Sequence, residues 1–332
     1  MTRWFRACMR CTAFASLLVL FAGAACADAA GLVHLDLAAS NTWWGQIPLM
    51  VAIDKGFFKQ EGLAVTLRNI PNSSDRIAAL DAGSVAFSNL GRIAVIAEMA
   101  RGDKSFYYFA NIDDSPGNEG CWARPGFASF QALKGKPVAA NTSAEITLDG
   151  LLQNAGMTEK NVRYEDLDPS EMAPALAKGD VDAACVWQPL LAGLEQAVPN
   201  GKLLGLDSDT PIFKKFGTMS SPDIMIISRK LVSQHPEEAQ KLAIAIFEGV
   251  AYANAHPEDT AKTIAHYFRK PPSVVLAAMQ KFHYYGAAGW PQHIKLHTGQ
   301  MQYLAQWLYD HGKIPNVPDV SQWENVSFLP KP

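Results

Sequence analysis

Apolar and polar positions change period at short intervals along the first third of the chain. The run "LVHLDLAA" (32–39) alternates like a half-buried strand, and "IPLMVAIDKGFFKQEG" (47–62) reads as a helix ending near Gly62. "LAVTLRNI" (63–70) is a second strand. "SSDRIAALDAG" (73–83) is a helix with a Ser at its start and Gly83 at its end, the usual residues for a helix N-cap and C-terminus. The strand "VAFSNLG" (85–91), the helix "RIAVIAEMARG" (92–102) and the strand "SFYYFANI" (105–112) follow. Strands separated by helices predict βαβ units and a mostly parallel sheet.

The alternation then recurs. "FQALKGKPVAANT" gives a loop and a strand, "SAEITLDGLLQNAG" (143–156) a helix, "VRYEDLD" a strand, "SEMAPALAKG" a helix and "VDAACVW" a strand. "AALDAGSVAFSNLG" (78–91) aligns with "PALAKGDVDAACVW" (174–187) at an offset of 96, each a helix stopping at Gly and feeding a strand. Two similar α/β lobes account for this. "TMSSPDIMIISRKLV" (218–232) holds one more strand, and the rest is helical. The economical path enters a second lobe after residue 120 and returns through 222–229, leaving the last helices to pad the first lobe.

The N-terminus sits outside this pattern. "MTRWFRACMR" is basic, "CTAFASLLVLFAGAACA" is apolar, and "ACADAA" offers a cut after Ala27, the three parts of an export signal. Lipidation at Cys26 is the minor alternative, because Gly23 stands where a bulky aliphatic is usual. Residues 1–27 are therefore assigned to a signal peptide, 28–120 to lobe one, 121–221 to lobe two and 222–332 to lobe one again. Loss of three arginines and no acid takes the formal charge from −3 to −6, which disfavours nucleic acid as a partner. Of five cysteines, Cys121 and Cys185 remain. One disulfide and buried free thiols both fit them.

No nucleophile elbow, zinc-protease, P-loop or dinucleotide-binding motif occurs. Seven of the eight histidines lie at or after 235 and read as ordinary helix or surface residues. In open parallel sheets ligands bind beyond the C-terminal strand ends, so two facing lobes place a cleft there. The loops concerned are Ser40–Gln46, Ser88–Arg92, Asp113–Glu119, Asn141–Glu145 and Trp187–Pro189, with Asp223 opening the returning strand. Thr142 and Ser143 begin a helix, a place suited to an anion. Arg92 also opens a helix, against the preference of the helix dipole, which suggests an anionic ligand group beside it. Trp43 and Trp44 are unusual in a turn. One is expected to face the ligand and the other to pack beneath it.

The segments "GFFKQEGLAV", "ALDAGSVAFSNLG", "LKGKPVAANTSAEITLDGLLQNAG", "ALAKGDVDAACVWQP", "SRKLVSQHPEEAQKL" and "YLAQWLYDHGKIP" resemble the taurine/nitrate/sulfonate periplasmic binding proteins of ABC transporters. The resemblance implies a two-lobed α/β fold of the type II binding-protein class. It implies capture of taurine or a related sulfonate, and delivery to a permease with its ATPase by a periplasmic monomer that is not an enzyme and carries no cofactor. It is carried residue by residue by Asn89-Leu90-Gly91, Gly117-Asn118, Thr142, Ser143 and Thr147, Trp187-x-Pro189 and Asp223. The helix start would cradle the sulfonate and Asp223 would take an amine. Trp43, Trp44, Gln46 and Arg92 depart from the pattern and point to a larger or differently charged ligand. The ligand-binding set is thus Trp43, Trp44, Gln46, Asn89, Arg92, Asn118, Glu119, Thr142, Ser143, Glu145, Trp187 and Asp223. Nitrate, a quaternary amine or a thiamine-pyrimidine precursor are the other ligands considered. A thiamine-pyrimidine synthase is the enzymatic alternative, and a sensor input module a third.

Overall fold

The computed structural model describes residues 31–330; the expected export signal, its cut after Ala27 and Cys26 lie outside them. Twelve strands are formed among the described residues. In chain order they are β1 (Val33–Ala39), β2 (Leu63–Asn69), β3 (Phe87–Gly91), β4 (Phe106–Ala110), β5 (Asp113–Asp114), β6 (Glu119–Ala123), β7 (Pro137–Ala140), β8 (Arg163–Asp166), β9 (Ala183–Trp187), β10 (Lys202–Leu206), β11 (Asp223–Ser228) and β12 (His283–Tyr284). They make two five-stranded sheets, ordered β2-β1-β3-β11-β4 and β10-β6-β9-β7-β8, with β12 paired to β5. The molecule is two-lobed, one sheet to each lobe.

Both sheets are mixed, which corrects the mostly parallel expectation. β1 runs parallel to β2 and β3, but β11 enters antiparallel between β3 and β4. In the second sheet β6 is antiparallel to both β9 and β10. The strands that cross between lobes arrive from the opposite end, so each breaks the βαβ rule locally. The sequence pattern does not predict β5, β6, β10 and β12. A two-residue strand such as β12 has no period to read, and β10 ("KLLGL") does not alternate.

The helix expected over 47–62 is two helices, Ile47–Asp54 and Phe57–Gln60, separated at Gly56, whose φ of 78° is left-handed. Helix Ile47–Asp54 is apolar all round and sandwiched. The sheet lies on one side and the helix Pro236–Ala255 on the other. Leu37, Phe87, Leu90, Phe106 and Ile224–Ile227 fill the sheet of lobe one with no exposed surface. Lobe two has smaller cores, around Leu148 and Leu152 on one face of its sheet and Met172 and Leu176 on the other. Cys121 and Cys185 face each other across β6 and β9 and form a disulfide.

Candidate functional site

Ser40 and Thr42 set the turn that follows β1: the Ser40 hydroxyl lies 2.7 Å from that of Thr42 and accepts the Thr42 backbone N–H. The chain then enters the buried single turn Trp44–Gln46. The two tryptophans diverge there. Trp44 is buried against Phe268, with ring centres 4.3 Å apart. Trp43 meets Phe282 edge-on at 5.1 Å, and its indole N–H donates to Asp113 Oδ2 at 3.2 Å. Gly45, which follows them, is obligatory, since a Cβ there would stand 2.2 Å from Asp113 Oδ2 and 2.3 Å from Trp43 Nε1.

Asp113 anchors a buried polar cluster at the ends of β3, β5 and β11. Its Oδ1 accepts the Asn89 amide at 2.9 Å. Gln46 Nε2 donates to Asn89 O at 3.0 Å and to Asp223 Oδ2 at 3.2 Å. Arg76 lies beside it and donates to Asn89 O, Ile70 O and Pro71 O. Burial, and then the charge of Asp223, pushes the Asp113 carboxyl up to about 8. Burial also raises Asp223, to about 6, with Arg76 and Arg92 pulling the other way.

A second feature lies at the same strand ends. Gly91, the N-cap of helix Arg92–Arg101, pairs in register with Asp223. A Cβ on Gly91 would lie 3.4 Å from Ser143 Oγ and 3.5 Å from Ser73 Oγ. Ser73 opens helix Ser73–Asp81 in lobe one, and Ser143 is in the first turn of helix Thr142–Asn154 in lobe two. Three helix N-termini from both lobes therefore meet around Gly91. Asn72 and Asn141 cap two of them by accepting from Ser74 N and Ala144 N; Gly91 has no side chain to cap the third. Unpaired first-turn N–H groups and aligned dipoles give such a spot positive potential. The side chain of Thr142 lies outside the described residues.

The remaining expected residues separate. Arg92 is corrected: its guanidinium is fully buried and turned inward, donating to Pro222 O (2.7 Å), Gln300 Oε1 (2.5 Å), Asp223 O (3.1 Å) and His297 Nδ1 (3.2 Å). It clamps the returning strand to helix Trp290–Asp310 and has no spare face for an anion. Burial lowers it to about 10, so it stays charged. His297, expected to be an ordinary histidine, is part of this clamp and wholly buried. Glu145 is also corrected. It is buried and paired with Lys313 of the C-terminal segment.

Asn118 and Glu119 belong to the crossing between lobes. Asn118 O accepts Gln188 N, and Asp207 Oδ1 accepts the N–H groups of Gly117 and Glu119, tying one crossing to the other. Asp114 Oδ1 does the same by accepting Met219 N at 3.1 Å. Burial, with Asp207 nearby, raises Glu119 to about 8. Trp187 is half-buried and packs against the cores of both lobes. Sequence reasoning missed Asp113 as an anchor, Gln300 and His297, whose partners are distant in the chain, and Arg76, whose acceptors are nearby backbone carbonyls that leave no side-chain signal. Among the described residues no group of three or more His, Cys, Asp or Glu is placed to hold a metal ion.

A family model described as NMT1/THI5 like matches residues 44–260. A protein of Brucella abortus (strain 2308) named as a binding protein is 28% identical over 229 residues, covering 68% of this chain and 69% of the relative. The taurine-binding periplasmic protein of Escherichia coli K12 is 25% identical over 211 residues, covering 62% of each. The alkanesulfonate-binding protein SsuA of Xanthomonas axonopodis, solved bound to MOPS, superposes with a TM-score of 0.71 at 18% identity, over 90% of this chain and 99% of that one.

Proposed function

The chain belongs to the NMT1/THI5-like family, and from that premise we propose that it is the solute-binding component of an ABC importer. It captures a small anionic or zwitterionic organic compound, taurine or a related sulfonate, between its lobes and delivers it to a membrane permease powered by an ATPase. The observation that carries this reading is the meeting of three helix N-termini at Gly91, with the Ser73 and Ser143 hydroxyls beside them. One terminus comes from lobe two and two come from lobe one, so an anion held there bonds both lobes at once and favours their closure.

The reading extends to place and partners. The protein acts in the periplasm as a monomer, and the Cys121–Cys185 disulfide suits an oxidising compartment. It binds rather than converts its ligand. We assign residues 28–120 and 222–332 to the first lobe and 121–221 to the second; the membership of the two sheets supports this except that β6 begins at Glu119. Titration calorimetry with taurine, short alkanesulfonates and nitrate on folded, ligand-free protein tests it. Saturable binding of a sulfonate supports the reading, and no heat with any member of the set overturns it.

A further inference from the structure

The face of helix Thr142–Asn154 that meets the C-terminal segment carries two carboxyl groups one turn apart, and they are satisfied in different ways. Asp149 Oδ2 accepts the Trp307 indole N–H and the Gln153 amide, both neutral donors, and His311 Nε2 lies 3.8 Å from Oδ1. Glu145 comes four residues earlier, on the same face and in the first turn. Its cationic partner is Lys313, which follows helix Trp290–Asp310 and so belongs to lobe one. The two ends of this pair are buried unequally. Glu145 is 1% exposed, whereas the Lys313 side chain is 32% exposed.

Within lobe two nothing beside Glu145 replaces that cation. Its titratable neighbours there are Glu159, Tyr164 and Asp149. Burial, and then the charges of Glu145 and Asp149, hold the Glu159 carboxyl up to about 8, so at neutral pH it keeps its proton and adds no charge beside Glu145. Burial likewise keeps the Tyr164 hydroxyl protonated. A buried carboxylate stripped of its partner is costly, while a lysine left in contact with water is not. When the lobes part, Lys313 leaves and water takes its place. When they meet, only Lys313 can do so.

The position of Glu145 ties this pair to the ligand. The N-terminus of the same helix, with Ser143, lies at Gly91, where the anion is assigned. A bare carboxylate in that first turn repels an arriving anion and competes with it for the positive end of the helix dipole. Lys313 cancels that charge, and does so from the opposite lobe.

We propose that Lys313 is a charge latch, which by covering Glu145 from lobe one holds the lobes together and frees the lobe-two helix end for an anion. This rests on the anion reading above. Lys313 is a positioning residue, acting through Glu145 rather than on the ligand, and it makes anion binding and lobe closure favour each other.

A double-variant cycle tests this, read by calorimetry with taurine and ethanesulfonate and by small-angle scattering of the ligand-free protein. Lys313→Met keeps the stem and removes the charge. It is expected to weaken sulfonate binding about tenfold or more, with the melting transition still cooperative. Adding Glu145→Gln should recover most of that loss, since no buried charge is then left to pair. A mere packing role for Lys313 would leave the double variant as weak as Lys313→Met, which overturns the proposal, as does an unchanged affinity in Lys313→Met. Both results leave the anion cleft standing. Wild-type protein that binds neither sulfonate overturns the cleft reading, and scattering then decides the latch. A radius of gyration that grows in Lys313→Met and reverts in the double variant leaves the latch standing, and an unchanged radius overturns it as well.

Discussion

The Trp307 indole N–H donates to Asp149 Oδ2 at 2.7 Å, joining the last long helix of lobe one to helix Thr142–Asn154 of lobe two. That second helix is the one whose N-terminus lies at Gly91, so the contact couples the C-terminal segment to the cleft. His311 stacks on Trp307 at 4.0 Å, with its Nε2 3.8 Å from Asp149 Oδ1. Lys313 pairs with Glu145 and lies 5.1 Å from the ring of Tyr164. These contacts fasten the lobes in the arrangement that brings Ser143 to Gly91. Trp307→Phe keeps the ring and removes the donor to a buried carboxylate, at a cost of about 1–3 kcal/mol. If the contact belongs to the closed form, ligand release should speed up about tenfold or more while association changes little. Stopped-flow binding of a fluorescent or competing sulfonate measures both rates, and an unchanged release rate would remove the contact as a latch.

Gly91→Ala tests the anion position without disturbing the fold. Gly91 has φ −57° and ψ 123°, which alanine adopts freely, and the new methyl would meet only ordinary contacts at 3.4 and 3.5 Å. The melting temperature should hold or rise slightly, since alanine restricts the unfolded chain. The methyl would nonetheless stand where three helix ends converge, and sulfonate affinity should fall about tenfold or more. Equal affinity for wild type and variant would move the anion elsewhere.

How much of this was legible beforehand depended on how far apart the partners lie in the chain. The two-lobed α/β plan was readable because helix and strand periods alternate within short windows, and Asn89-Leu90-Gly91 and Ser143 sit at strand-end loops. Arg92 was misread because its acceptors, Pro222, His297 and Gln300, lie 130 or more residues away and leave no local mark. Asp113 stood out only as the first residue of a strand-end loop. Its role comes from Trp43 and Asn89, which the mixed sheet of lobe one brings to the same edge from 70 and 24 residues away. Glu145 was drawn into the cleft by its nearness to Ser143, yet two residues along a helix turn a side chain well over a third of the way round.

The tryptophan pair should separate by assay. Trp44 is core, tilted against Phe268, and its carbonyl accepts the Tyr284 hydroxyl. Trp44→Ala should cost about 3–5 kcal/mol of stability. Trp43→Phe keeps most of the ring and removes only the donor to Asp113 Oδ2. It should cost about 1–3 kcal/mol or less in stability and change the preference between taurine and ethanesulfonate. Denaturant unfolding alongside calorimetry distinguishes the two, and equal effects on stability with no change in preference would make both residues core.

The buried carboxyls predict the direction of the pH dependence. Asp113 and Glu119 are held up to about 8 and Asp207 to about 7, burial being the first cause in each. In the unfolded chain such groups titrate near 4. Above pH 6.5 the unfolded carboxyls have therefore lost their protons, while the folded ones release theirs only through pH 7–8. A raised folded pKa stabilises fully below the unfolded value, and that stability is lost as pH rises through the folded one. His297 acts in the opposite direction, since burial holds its folded pKa well below 6.5, but its effect falls below this window. The ligand-free protein should thus melt lower at pH 8.5 than at pH 6.5, by about 3 °C or more. Asp113→Asn removes one of the titrating groups and should flatten the slope. A melting temperature that climbs across this range would mean that these carboxyls are already ionised in the folded protein, satisfied by Arg76, Arg92 and the surrounding amides alone.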